Sequence, residues 1–213
     1  MKRLLVLAAA TLACLSVLSA APCGGGVNVL TPGFTCEVNV GGIELSFSGF
    51  SAVNAGGMFT PVVNVVSSTA VGLTGFVTFN PNLLPGQDLH FYFTVSGPIV
   101  GVDLINAGGP GSIIDERVCS TPIAMGNICT GGLPNQVAFL TAMGGTSADA
   151  NFPGGNVVNP TYYFKDIGAG PTSGLSSFTQ SFHVIPEPTS MLLLGSGLLG
   201  LARVARRRYL KKD

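Results

Sequence analysis

The sequence predicts an antiparallel β-sandwich, jelly-roll-like in its winding, for residues 21–185. Three observations carry this prediction. Apolar residues recur with period two, as in Leu89, Phe91, Phe93 and Val95 set against His90, Tyr92 and Thr94. Alternation of this kind marks a strand with one face buried and one face wet. Glycine-, proline-, asparagine- and serine-rich turns separate the alternating runs. No segment of this region keeps a helical period, and no repeat of fixed length is visible among its glycines.

The elements follow in chain order. Lys2 and Arg3 precede an apolar run from Leu4 to Ala21 that ends in small residues. A basic start, an apolar middle and a small-residue end read as an N-terminal signal peptide, residues 1–20, cut after Ala20. Ile43, Leu45 and Phe47 alternate with Glu44, Ser46 and Ser48, giving a first strong strand. Val62 to Val66 is a shorter candidate, and Val71, Leu73, Val77 and Phe79 form a partial set. The Leu89–Val95 run follows, then Val100, Val102 and Leu104 around Gly101 and Asp103. Gln136–Met143, Tyr162–Lys165 and Phe178–Val184 complete the strands, and 144–160 reads as a loop. About 165 residues suffice for one domain with a real core.

Cysteine usage indicates the compartment. Cys14 leaves with the signal peptide, and Cys23, Cys36, Cys119 and Cys129 remain. An even number in an exported chain points to disulfides. Four cysteines allow three pairings. The local one, Cys23 with Cys36 and Cys119 with Cys129, is favoured because each loop is short and rich in glycine and proline. A four-cysteine metal site would want a C-x-x-C pair, which is missing, so no metal is assigned.

Charge excludes one large class of function. Between Ala21 and Ile185 only Arg117 and Lys165 are basic, against Glu37, Glu44, Asp88, Asp103, Asp115, Glu116, Asp149 and Asp166. An acidic domain lacks the basic footprint that phosphate binding needs, so no nucleic-acid partner is expected.

The tail, 186–213, is different in kind. Pro186-Glu187-Pro188 cannot continue a helix or a central strand. No charge follows from Thr189 to Ala202, and the run reaches Ala205 if Arg203 snorkels to the lipid headgroups. Arg203, Arg206, Arg207 and Arg208 then form a basic anchor on the cytoplasmic side of a single C-terminal transmembrane helix. Pro186-Glu187-Pro188 followed by MLLLGSGLLGLARVARRR resembles the sorting signal of PEP-CTERM proteins. That resemblance implies recognition by exosortase, a membrane protease-transferase of Gram-negative bacteria. It also implies processing near the proline motif and export of residues 21–185 to the surface or extracellular matrix. The ectodomains that carry such tails are diverse, so the resemblance implies no biochemical activity.

Residues able to do chemistry are few. His90 sits on the outer face of its strand near Asp88, where a solvated strand histidine is expected rather than a base or metal ligand. His183 lies beside the proline stalk. Asp115 and Glu116 could work as acid and base, or hold calcium with Asp103, but strand neighbours point to opposite faces. No EF-hand loop is present, and Gly145-Thr146-Ser147-Ala148-Asp149 lacks the closing glycine of a nucleophile elbow. Tyr92, Tyr162 and Tyr163 could stack on sugars, although cross-strand packing is the commoner use of such tyrosines. The expectation is therefore no catalytic residue and no cofactor, with a non-enzymatic exported protein as the first reading. An extracellular glycan-binding module, calcium-dependent in one form, is the alternative.

Overall fold

The computed structural model describes residues 21–185 and, within the tail, Ser196 alone. The signal peptide, the Pro186-Glu187-Pro188 motif, the membrane helix and Arg203, Arg206, Arg207 and Arg208 lie outside the described residues. Fourteen strands follow in order: β1 Val27–Asn28, β2 Cys36–Val40, β3 Ile43–Gly56, β4 Asn64–Val71, β5 Thr74–Asn80, β6 Asp88–Ser96, β7 Ile99–Asn106, β8 Ile113–Cys119, β9 Ile123–Ala124, β10 Ile128–Cys129, β11 Gln136–Met143, β12 Ser147–Asn151, β13 Thr161–Gly168 and β14 Phe178–Val184.

All named strand pairs are antiparallel, and they form two six-stranded sheets. One runs β11-β8-β13-β6-β3-β2, the other β1-β4-β5-β14-β7-β12, and β9 with β10 makes a separate hairpin. The inner strands interleave as β5-β14-β7-β12 and β6-β13-β8-β11, so the chain crosses between sheets at nearly every connection. That order is the double Greek-key winding of a jelly roll, with β3 and β2 extending one sheet and β4 and β1 the other.

The core between the sheets is built on aromatic residues. Phe47, Phe79, Phe91, Phe93, Tyr163, Phe178 and Phe182 are all fully buried there. Phe47 meets Phe182 across the gap at 5.1 Å, edge to face, and Phe79 meets Phe91 at 5.5 Å. Offset and edge-on ring pairs of this kind add to the free energy of burial itself. The alternation read in β6 is exact in the fold: Leu89, Phe91, Phe93 and Val95 are buried, and the residues between them are half-exposed.

Two departures from the simple pattern have local causes. The β3–β6 register shifts between Ser48 and Ser51. Gly49, at φ 64°, lies in that bulge, a backbone conformation that costs a side-chain-bearing residue more. The extra residue moves the inward phase from Leu45 and Phe47 to Phe50 and Ala52. Phe50 then stacks on Phe91 and Phe93, at 6.2 and 6.0 Å. Gly75 on β5 lies tight against β2 of the facing sheet, since a Cβ there would stand 2.7 Å from Val40 Cγ2.

The structure corrects two expectations and adds one strand. Val71 and Leu73 flank the tight β4–β5 turn at Gly72 and are exposed; only Val77 and Phe79 of that set enter the core. Residues 144–160 include a strand, β12, which pairs with β7 as a sheet edge. Residues 113–119, read for their acidic pair alone, form β8 in the middle of a sheet.

Candidate functional site

Both disulfides are local: Cys23 with Cys36, Cα atoms 4.8 Å apart, and Cys119 with Cys129 at 5.5 Å. The first ties the N-terminal segment to β2. The second anchors the β9–β10 hairpin, which folds back over the outer face of the β8–β13–β6 sheet. There Tyr92 Oη donates to Asn127 Oδ1 at 2.6 Å, and Arg117 Nη1 donates to the Asn127 carbonyl. The Arg117 guanidinium lies 5.8 Å from the centre of the Phe139 ring.

Beside the hairpin the same face carries an acidic strip. Antiparallel pairing sets Asp166 directly between His90 on β6 and Asp115 on β8. His90 Nε2 is 3.6 Å from Asp166 Oδ1, and Thr141 Oγ1 donates to Asp115 Oδ1 at 2.5 Å. Partial burial, and then the charge and hydrogen bond of Asp88, hold the Asp166 carboxyl above the usual carboxylate range. His90 also meets the edge of the Phe164 ring at 5.2 Å. It is thus an outer-face histidine tied into strand packing.

The opposite sheet carries a hydrogen-bonded line on its outer face. Ser181 Oγ donates to Asp103 Oδ2 at 2.6 Å, and His183 Nε2 stands 2.9 Å from the same oxygen. Thr74 Oγ1 is 3.1 Å from His183 Nδ1. With the proton on Nε2 facing the carboxylate, Nδ1 accepts from the threonine. These four residues stand on the adjacent strands β5, β14 and β7. A cleft of about 430 Å³ elsewhere, at the β2–β4 edge, is lined by Glu37, Glu44, Asn39 and Ser68 among others.

Asp103, Asp115 and Glu116 do not converge. Asp103 lies on one outer face, Asp115 on the other, and Glu116 points between the sheets with no exposure. Among the described residues no group of three His, Cys, Asp or Glu is placed to hold a metal ion. No helix among them is long and apolar enough to cross a membrane.

The most unusual chemistry lies inside the core, where sequence reading placed none. Lys165 on β13 and Glu116 on β8 are register partners, both fully buried, and their side chains form a direct ion pair. From the facing sheet, Gln180 on β14 accepts a hydrogen bond from Lys165 Nζ through Oε1 at 2.5 Å. Gln180 Nε2 donates to the Ser181 carbonyl at 3.3 Å. Glu116 Oε1 has no hydrogen-bond partner among the described residues. The rings of Phe178 and Phe93 wall the site, with centres 5.1 and 6.0 Å from Nζ. Burial in this apolar setting pushes Lys165 well below the ordinary lysine range. The signal was legible as phase: Glu116 lies two residues from Ile114 and Val118, Lys165 two from Tyr163 and Ile167, and Gln180 two from Phe178 and Phe182. Each position faces inward by the rule that fixes its neighbours.

No curated protein matches the chain. Among solved structures, one similar fold is TmCBM61 in complex with beta-1,4-galactotriose, 9% identical, covering 66% of this chain and 90% of that one at a TM-score of 0.35. Another is the family 11 carbohydrate-binding module from Clostridium thermocellum, 10% identical, covering 66% and 90% at 0.30. A third is the enzymatically active domain of tailspike protein 4 from bacteriophage CBA120, 12% identical, covering 65% of this chain but 20% of that one at 0.34. Likeness at this level assigns no ligand. The tail is more specific: residues 184–208 match the PEP-CTERM protein-sorting motif, which supports a PEP-CTERM protein.

Proposed function

We propose that this chain is an exported, non-enzymatic cell-surface or extracellular-matrix protein, sorted by exosortase through its tail. The observation that carries the reading is where the motif begins. The sorting motif starts at Val184, the last residue of β14. In sequence the sandwich therefore runs directly into Pro186-Glu187-Pro188, the uncharged run and the basic residues Arg203, Arg206, Arg207 and Arg208. The chain crosses the inner membrane by its signal peptide, is held there transiently by its tail, and is released outward on processing. The scattered acids and the strand-bound histidines support a structural rather than a catalytic role.

The test compares intact mass and localisation of the chain in hosts with and without exosortase. A cut near Pro186–Pro188, with the sandwich moved outward only when exosortase is present, is the expected result. An uncut chain held in the inner membrane of both hosts would overturn it. A second reading, recognition of extracellular polysaccharide, draws on the face where Phe139 is about half exposed beside Tyr92, Phe164 and the acidic strip. Retention on polysaccharide that Phe139→Ala abolishes would favour it.

A further inference from the structure

We propose that Lys165 and Gln180 are joined, after folding, by an intramolecular amide bond formed with Glu116 as the proton carrier. The three side chains have the chemistry and the contact this requires. Lys165 supplies the amine, Gln180 the carboxamide carbon, and Glu116 an acid–base group in contact with the amine. Gln180 Cδ is one bond from the oxygen that Nζ touches at 2.5 Å.

An amine attacks a carbonyl carbon only when unprotonated, and a desolvated lysine is the usual way to provide one. Here full burial beside two phenyl rings favours the neutral amine, holding Lys165 well below the ordinary lysine range. Glu116 takes the ammonium proton and the pair becomes neutral. Nζ then forms a bond to Cδ. Glu116 hands its proton to Nε2 and takes one from the attacking nitrogen, the Cδ–Nε2 bond breaks, and ammonia leaves. One carbon–nitrogen bond forms and one breaks, Glu116 ends protonated as it was before the attack, and no oxidant or reductant takes part. Groups held in contact by a folded core react as though at very high concentration, with effective molarities of about 10⁵–10⁸ M in well-oriented cases. Glu116 is not itself the acceptor, because a carboxylate is a poor electrophile and would have to shed water. The free Oε1 of Glu116 leaves it an oxygen on which to carry the proton.

The bond would cross from one sheet to the other. Lys165 lies on β13 and Gln180 on β14, and these two strands belong to different sheets. Their Cα register partners, Glu116 for Lys165 and Val77 and Leu104 for Gln180, place the bond at the centre of the sandwich.

Mass spectrometry of the exported wild-type protein decides the matter. After reduction and trypsin digestion, cleavage should occur at Arg117 but fail at Lys165, because an acylated lysine is not cut. The peptide that begins at Val118 and runs through Lys165 should be lighter than its sequence by one ammonia. Fragment ions should confine that loss to a link between 165 and 180. Glu116→Gln, which keeps shape and hydrogen bonding, should give the full sequence mass and normal cleavage at Lys165. A wild-type protein of full mass that is cut at Lys165 overturns the proposal. So does loss of water with a link to the peptide that holds Glu116, which would make Glu116 the acceptor. An ammonia-lighter, linked Glu116→Gln protein would refute the proton-carrier role.

Discussion

Opening the Cys23–Cys36 bridge should lower the stability of the sandwich by about 3 kcal/mol, a value set by loop length. The bridge spans 13 residues, and a closed loop of that size removes about 10 cal/mol/K from the unfolded chain. The Cys119–Cys129 loop spans 10 residues, and the same relation makes its contribution smaller by only about 0.2 kcal/mol. The two bridges should therefore weigh almost equally although they sit at different places. For a domain of this size a loss of that order lowers Tm by about 6–12 °C. The hairpin closed by Cys119–Cys129 is also held by the Tyr92 and Arg117 bonds to Asn127. It should keep its place without the bridge, so that the loop entropy falls on the unfolded chain alone. The assay is thermal unfolding, followed by circular dichroism, of Cys23→Ala/Cys36→Ala and Cys119→Ala/Cys129→Ala proteins. Alanine keeps the buried sites apolar and leaves small voids. An unchanged Tm in either protein would refute the loop-closure reasoning. A difference between the two well above about 1 kcal/mol would refute it equally, because these loop lengths do not allow one.

Two further outcomes follow from packing and charge. Phe79 is fully buried and meets Phe50, Phe91, Phe93 and Phe178 with ring centres 5.3–6.3 Å away. Phe79→Ala should cost about 3–5 kcal/mol in urea unfolding, and a cost under about 1 kcal/mol would mean that the two sheets do not share one aromatic core. Asp166 has its carboxyl raised by burial and by Asp88, so the folded state holds that proton more tightly than the unfolded chain does. Its contribution to stability is then greatest in acid and falls as pH rises from the unfolded carboxylate range through the raised folded value. Asp166→Asn should be more stable than the parent at neutral pH, with the gap closing as pH drops below about 4; a gap that widens in acid would reverse the sign.

How much of this was legible in the sequence depended on which rule each segment obeyed. β6 could be read because all its inward positions are large and apolar and its outward ones are not. The sorting motif at 184–208 could be read because paired prolines, an uncharged run and an arginine cluster follow one another there in a specific order. β12, with the sequence Ser147-Ala148-Asp149-Ala150-Asn151, gave no sign: it is an edge strand whose inward residues are alanines. β8 was hidden by Glu116, a charged residue at an inward position, which broke the apolar run between Ile114 and Val118. In β3 the inserted residue at Gly49 put Val53 on the outside, 56% exposed. Period-two counting cannot foresee a bulge unless glycine is read as one.

The three inward polar residues gain their meaning from the energetics of burial. Removing a lysine and a glutamate from water costs several kcal/mol for each ion, and their attraction offsets this only when every remaining polar atom is satisfied. Glu116 Oε1 is unsatisfied, so as an ion pair the cluster holds together two sheets that apolar side chains of the same volume would hold as well or better. An amide between Lys165 and Gln180 changes that balance. It removes the lysine charge permanently and lets Glu116 remain a neutral acid, so the cost of the buried ions becomes a driving force for the bond. The position of that bond matters as well. β14 is the strand from which the chain leaves the sandwich, and the sorting motif begins on its last residue. A pull on the tail enters the fold through β14. Hydrogen bonds to β5 and β7 alone would let the strand peel away. The proposed covalent link to β13 would carry that load into the facing sheet, since β13 and β14 belong to different sheets.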